Sequence, residues 1–253
     1  MRVIKNYGYC VMIIAIYTIL SDFYEILNKS KSELPIYQSF LQSIFQGSYN
    51  LDKVNIPVSI VGIGYIIIFN IIFGSYLYSE LHCVPEYIFT RYNYRWEWYL
   101  KKILYLLGLT MFYNFLYVFF KVLIISKNSK TALTKIDLTI IASVFLIMSL
   151  FTLVTTLFVN IVSIFIGSNS ALVILYVIEG FSTTISYVQS KQGFITIIDF
   201  INPMSNVLIP WNYDYIKSYY PIIYFGTLNL ILVFIGILKI KRMDLGLVNK
   251  DDK

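Results

Sequence analysis

Few side chains in this sequence could do chemistry, and they fall in three places. A lone carboxylate, Glu179, interrupts the apolar run Ala171–Val188. The stretch Glu80–Lys102 alternates charges with large aromatics and holds the single histidine, His82, and one of two cysteines, Cys83. The third place is Gly193–Trp211, where two short apolar runs each close on a proline, Pro203 after Asn202 and Pro210 after Ile209. One histidine makes neither an H-E-x-x-H motif nor a zinc site of the usual His-rich kind. No glycine precedes a lysine, so there is no phosphate-binding P-loop. Gly180-Phe181-Ser182 is a faint echo of an intramembrane serine-protease motif, and His82 lies at the wrong face to serve it. Cys10 and Cys83 read as separate thiols rather than a disulfide framework. The chain is therefore not read as an enzyme.

Each place has a structural and a functional reading. A carboxylate in the middle of a span costs about 2.5–3.5 kcal/mol on insertion scales, so Glu179 should face a bundle interior, a partner or water, or stay protonated. A hydrogen-bonding role and a place on a transport path fit it equally. Asn70, Asn114 and Asn160 lie in apolar runs and read first as bonds between helices, with Asn160 also a candidate for the path. In Glu80–Lys102, Pro85 suits the first turn of a new helix, and Glu86 favours that helix's positive end. Beyond it Tyr87, Phe89, Tyr92, Tyr94, Trp96, Trp98 and Tyr99 should set their rings at headgroup depth. That segment is either an interfacial elbow or a docking surface for a cytoplasmic protein. The runs in Gly193–Trp211 are too short to cross a bilayer and read as interfacial or re-entrant pieces. With the aromatic belt of Trp211, Tyr213, Tyr215, Tyr219 and Tyr220 they form an anchor, or an external gate that includes Asn202 and Pro203.

The elements that must position these groups are transmembrane helices. Of 253 residues, 58% are hydrophobic and 13% charged, and mean hydropathy is +0.70; a soluble domain carries about 25% charged residues. Six apolar runs approach the roughly 20 residues needed to cross the hydrocarbon: about 8–27, 57–79, 102–125, 138–166, 170–189 and 221–240. The expected fold is all-α, one six-helix transmembrane domain over residues 1–253. The first run reads as a retained helix, because Ser21-Asp22-Phe23-Tyr24-Glu25 offers no small-x-small cleavage site. The fourth, Leu138–Ile166, exceeds the hydrocarbon thickness and must tilt or protrude, and Gly167-Ser168-Asn169-Ser170 turns tightly into the fifth.

An even number of crossings puts both termini on one side. With the termini cytoplasmic, eleven basic residues lie inside against eight outside, and the four arginines, Arg2, Arg91, Arg95 and Arg242, all fall inside. The net charge of +6 thus reads as topology and contact with anionic lipid rather than nucleic-acid binding. The plasma membrane is the expected location.

This layout resembles the permease subunit of a type-2 ABC transporter, the small six-helix exporter family. Four features carry the resemblance: a bare six-span domain without an ATPase, the charged and aromatic segment Glu80–Lys102 between spans two and three, the short turn between spans four and five, and the re-entrant-like pieces before span six. The run YIFTRYNYRWEWYLKK is similar in style to permeases of Gram-positive bacteriocin-immunity and peptide-export systems. The resemblance implies that Glu80–Lys102 forms a cytoplasmic coupling helix, with Glu80, Glu86, Arg91, Arg95 and Trp96 contacting a separate ABC ATP-binding subunit that carries ATP and Mg. It also implies a second permease half, identical or paired, alternating access, and a hydrophobic or antimicrobial peptide as cargo. Many relatives carry an amphipathic helix before the first span, whereas here that span begins near residue 8. Two other classes fit the same residues. A membrane immunity protein that sequesters a peptide would protect cells when expressed alone, and an ion-coupled transporter would use Glu179 as its proton or cation site.

Overall fold

The computed structural model describes residues 2–21, 34–45, 56–83, 94–190, 200–212 and 219–242. Its principal elements are α1 (Arg2–Ser21), α2 (Ile36–Phe45), α3 (Ile56–Phe73), α4 (Tyr76–Cys83), α5 (Arg95–Asn128), α6 (Lys135–Ile166), α7 (Ser168–Ser190), α8 (Pro203–Asn212) and α9 (Tyr219–Arg242), with no strand among the described residues. Among the described residues five stretches are long and apolar enough to cross a membrane: Gly64–Leu81, Arg95–Asn128, Lys135–Ile166, Ser168–Ser186 and Tyr219–Arg242. The chain is a multi-pass membrane protein. In α1 the apolar stretch is Val11–Leu20, and residues 22–27 of the expected first span lie outside the described residues.

The long α6 is the central post, touching α2, α3, α4, α5, α7, α8 and α9. Half of its most apolar window is buried, against 28% for α7 and 22% for α9, so those two present the broadest apolar faces to lipid. One cluster of buried side chains runs from Ile14 of α1 through Phe40, Phe69, Leu77, Leu106 and Leu157 to Phe225 of α9. Helix α7 joins α6 through a separate small cluster, Val159, Ala171 and Leu175.

With 32 residues, α6 is about 48 Å long against roughly 30 Å of hydrocarbon. The excess at its start carries α2. Thr134 and Asp137 form a capping box there, and Asp137 Oδ1 also accepts the Tyr37 backbone N–H at 3.0 Å. Ile36, Phe40, Leu41 and Ile44 bury one face of α2 at helical spacing. Next to it, Lys121 of α5 is fully buried, donating to the Ser43 carbonyl at 3.4 Å with its ammonium 5.7 Å from the Tyr117 ring centre. The stretch between the first two expected spans thus contains a packed helix.

At the other end of the bundle, α5 already begins at Arg95. Trp98 and Tyr99, expected at headgroup depth, are buried at 2% and 0% exposure. For Tyr99 the reason is Gly236 of α9: a Cβ there would overlap the tyrosine's hydroxyl and ring, so the absent side chain makes the space the tyrosine occupies. Between α6 and α7 the turn shrinks to one residue. Gly167 takes φ 85°, a left-handed backbone that suits glycine at a helix end, and donates to the Ser163 carbonyl at 2.9 Å.

Candidate functional site

Two polar constructions lie within the apolar bundle, and they meet at Thr155. The first repairs a broken helix. The second span was expected to run unbroken, but Gly74 and Ser75 form a turn between α3 and α4. In a continuous α-helix the Phe73 carbonyl would accept from Leu77 N–H. Here the Asn160 side chain stands between them: its Nδ2 donates to the Phe73 carbonyl at 3.1 Å, and its Oδ1 accepts from Leu77 N–H at 2.7 Å. One turn along, Asn70 Nδ2 donates to Thr155 Oγ1 at 2.9 Å and Asn70 Oδ1 accepts from Thr156 at 2.8 Å. Asn114 of α5 donates to Thr152 Oγ1 at 3.3 Å. The asparagines of three spans therefore bond to other helices, and Asn160 bonds to backbone.

The second construction is a recess of about 120 Å³ between α6, α7 and the start of α8, with Glu179 in its wall. Glu179 is 7% exposed. Among the described residues its neighbours in the recess with hydroxyl groups are Thr155 and Ser182; the rest, Phe151, Val154, Phe158, Leu175, Ile178, Pro203 and Met204, are apolar. Among the described residues no hydrogen bond or ion pair reaches its carboxylate. By helix rise it lies about 16 Å from the Ser168 end of α7, near mid-span.

What closes the recess is the segment ahead of α9. Asn202 caps α8, its Oδ1 accepting from Met204 N–H at 3.1 Å, and Pro203 takes the first helical position, where its missing N–H is harmless. Asn202 Nδ2 also donates to the Ser182 carbonyl at 2.8 Å and to Ser186 Oγ at 2.9 Å, while Ser186 and Ser205 hydroxyls bond at 2.7 Å. Ser182 precedes the end of α7 by about 12 Å of helix rise. The segment therefore enters the bundle to that depth before α9 begins, and Tyr224 of α9 fixes it by donating to the Ile201 carbonyl at 2.6 Å. Pro203 was expected to close an apolar run and instead opens a helix; Pro210 lies inside α8 rather than ending a run.

The residues expected to contact an ATPase are partly described. The Glu80 carboxylate pairs with Lys102 Nζ at 2.7 Å, and Lys102 also donates to Tyr76 Oη at 3.2 Å, tying α4 to the first turns of α5. Arg95 opens α5 half-buried, and Trp96 beside it is 36% exposed. Glu86, Arg91 and the helix expected around Pro85 lie outside the described residues. At this same end Lys239 sits 3.9 Å from the Phe165 ring centre, and Lys101, Lys241 and Arg242 are exposed.

Glu179, Asn202 and Pro203 thus come together, whereas Asn160 belongs to the helix repair. Sequence reasoning missed the docking role of Ser182, Ser186 and Ser205, whose hydroxyls and carbonyls hold α8; the spacing of four between Ser182 and Ser186 in α7 was the available signal. It also missed Thr155, which joins the two constructions. Among the described residues no group of three His, Cys, Asp or Glu could hold a metal ion. No protein-family model, curated protein or solved structure matches this chain.

Proposed function

We propose that this chain is the permease subunit of a type-2 ABC exporter, moving hydrophobic or amphipathic peptides out of the cell or the membrane. ATP is hydrolysed on a separate subunit, and a second permease half completes the path. In this reading α1 supplies the sixth crossing, both termini are cytoplasmic, and the protein resides in the plasma membrane. The observation that carries it is the non-helical Asn202 ahead of α8, which bonds to Ser182 and Ser186 of α7 short of that helix's end. Irregular backbone at membrane depth survives only where it is buried in protein or lines a cavity, and here it borders a recess. Further support comes from the basic end of the bundle: the Glu80–Lys102 pair braces the two helices that flank residues 84–93, which would give a motor subunit a stiff lever.

The test is co-purification with an ATP-binding subunit expressed alongside. The wild-type chain should retain the ATPase, and Arg91→Glu with Arg95→Glu should release it and reduce peptide export by about tenfold or more, as expected when two charged contacts worth 1 kcal/mol or so each are reversed. Full retention and transport in that double variant would remove the docking assignment. A second reading, ion coupling through Glu179, is favoured because no hydrogen bond or ion pair reaches its carboxylate among the described residues. Collapse of the proton gradient would then stop transport while ATP remained plentiful.

A further inference from the structure

We infer that the recess between α6, α7 and the start of α8 binds an ammonium group carried on an apolar body, with the Glu179 carboxylate as its counter-ion. The inference begins from a mismatch. A carboxyl that is 7% exposed ordinarily has hydrogen-bond or ionic partners, and among the described residues Glu179 has none. The hydroxyl of Thr155 is already engaged, donating to the Thr152 carbonyl at 2.9 Å and accepting from Asn70. Glu179 is one of the residues that line the recess, beside the hydroxyl residues Thr155 and Ser182.

The chemistry of the walls narrows what can enter. Among the described residues an anion would meet a carboxylate and no basic residue. A hard metal cation needs six or more oxygen ligands, and this lining supplies one carboxylate and two hydroxyls. A bare proton needs no recess. An amine answers both parts of the site. Its nitrogen makes a charge-assisted bond to Glu179, and its apolar body meets Phe151, Phe158, Leu175 and Met204, with the two aromatic rings adding faces that favour a cation. When a neutral amine meets the protonated acid, the proton passes from carboxyl to nitrogen, giving ammonium and carboxylate with no change in total charge. The pair is net neutral whichever atom holds the proton, so no net charge is buried.

Size and access fit the same ligand. A cavity of about 150 Å³ lined by Leu, Ile and Phe accommodates benzene, so about 120 Å³ takes a body near the size of a phenyl ring. Ile178, in the lining, is 43% exposed on the face that α7 turns to lipid, so the ligand enters from the membrane. The ammonium could belong to a diffusible amphiphile, such as the end of a hydrophobic peptide, or to an aminophospholipid headgroup. The mid-span depth of Glu179 favours the diffusible amphiphile. As a statement about cargo this rests on the exporter reading; as a statement about binding it concerns this chain alone.

The test uses the purified full chain in phosphatidylglycerol vesicles, without any ATPase, and a hydrophobic carbodiimide that reacts with carboxyls in apolar surroundings. Mass spectrometry reads modification at Glu179. Phenethylamine should protect Glu179 at a concentration about tenfold below that of phenethyl alcohol, its neutral analogue of equal size. Val154→Phe, which narrows the recess and keeps Glu179, should weaken protection by the amine. Including phosphatidylethanolamine separates the sources: protection by the lipid alone assigns the ammonium to a headgroup, and unchanged modification assigns it to a diffusible amine. Equal protection by amine and alcohol, no protection by the amine, or a Glu179 inert to the reagent would each overturn the inference. Loss of ATPase co-purification would leave it standing, and its failure would leave the exporter reading standing.

Discussion

Asn160→Leu is expected to destabilise the protein by about 2–6 kcal/mol, because it leaves two buried backbone groups without partners at about 1–3 kcal/mol each. The groups are the Phe73 carbonyl and the Leu77 N–H, which bond to the Asn160 amide and not to each other. Most polar contacts between membrane helices are weaker, averaging about 0.6 kcal/mol, since their groups find other partners when separated. Asn70→Val is the matched control. The Asn70 partners Thr155 and Thr156 also donate to the Thr152 carbonyl, so both hydroxyls remain satisfied after its loss, and a cost near that smaller figure is expected. Thermal or denaturant unfolding of the purified protein measures the two. Equal costs would mean that α3 and α4 close into one helix when Asn160 is removed, and that the amide is dispensable.

Gly236→Ala should also destabilise, against the sign that helix propensity alone gives. Alanine is favoured over glycine by about 1 kcal/mol in a helix interior. At Gly226, where an added Cβ meets nothing within 4 Å, alanine should be neutral or stabilising. At Gly236 the new methyl overlaps the hydroxyl and ring of fully buried Tyr99, and overpacking of this kind costs about 1–3 kcal/mol. Among the described residues the Tyr99 hydroxyl has no hydrogen-bond partner, so replacing it removes packing without orphaning another of their polar groups. Tyr99→Leu should therefore rescue Gly236→Ala, with a coupling of about 0.5–3 kcal/mol in the double-mutant cycle. Additive effects would show that the α5–α9 contact is looser than the geometry implies.

These two positions also mark where sequence reasoning stopped. Long apolar runs announce α5, α6 and α9, and Gly167 announces its turn, because a spanning helix is specified by its own composition. The break at Gly74-Ser75 is invisible from neighbouring residues, since the amide that makes it tolerable comes from Asn160, far along the chain. Likewise Trp98 and Tyr99 have the composition of an interfacial belt, and for Tyr99 it is Gly236 on another helix that makes room for burial. Helix α2 was legible in principle: Ile36, Phe40, Leu41 and Ile44 follow helical spacing, but the stretch is too short to register as a span. At the candidate site Glu179 stands out in sequence as a carboxylate in an apolar run. Its surroundings do not, because the recess is assembled from α6, α7 and α8, and Asn202 and Pro203 show their roles as cap and first helical residue only once α8 is seen.

The exporter reading depends above all on which side of the membrane holds the segment between α4 and α5. Single cysteines at Tyr94→Cys and Thr131→Cys, both exposed positions at opposite ends of α5, report this directly in a background where Cys10 and Cys83 are serine. With a membrane-impermeant maleimide applied to intact cells, the cysteine at 131 should be modified, and the cysteine at 94 only after the membrane is opened. Modification at 94 from outside, with 131 protected, would contradict the account, because it would put Arg91 and Arg95 on the side where no ATP-driven motor can reach them.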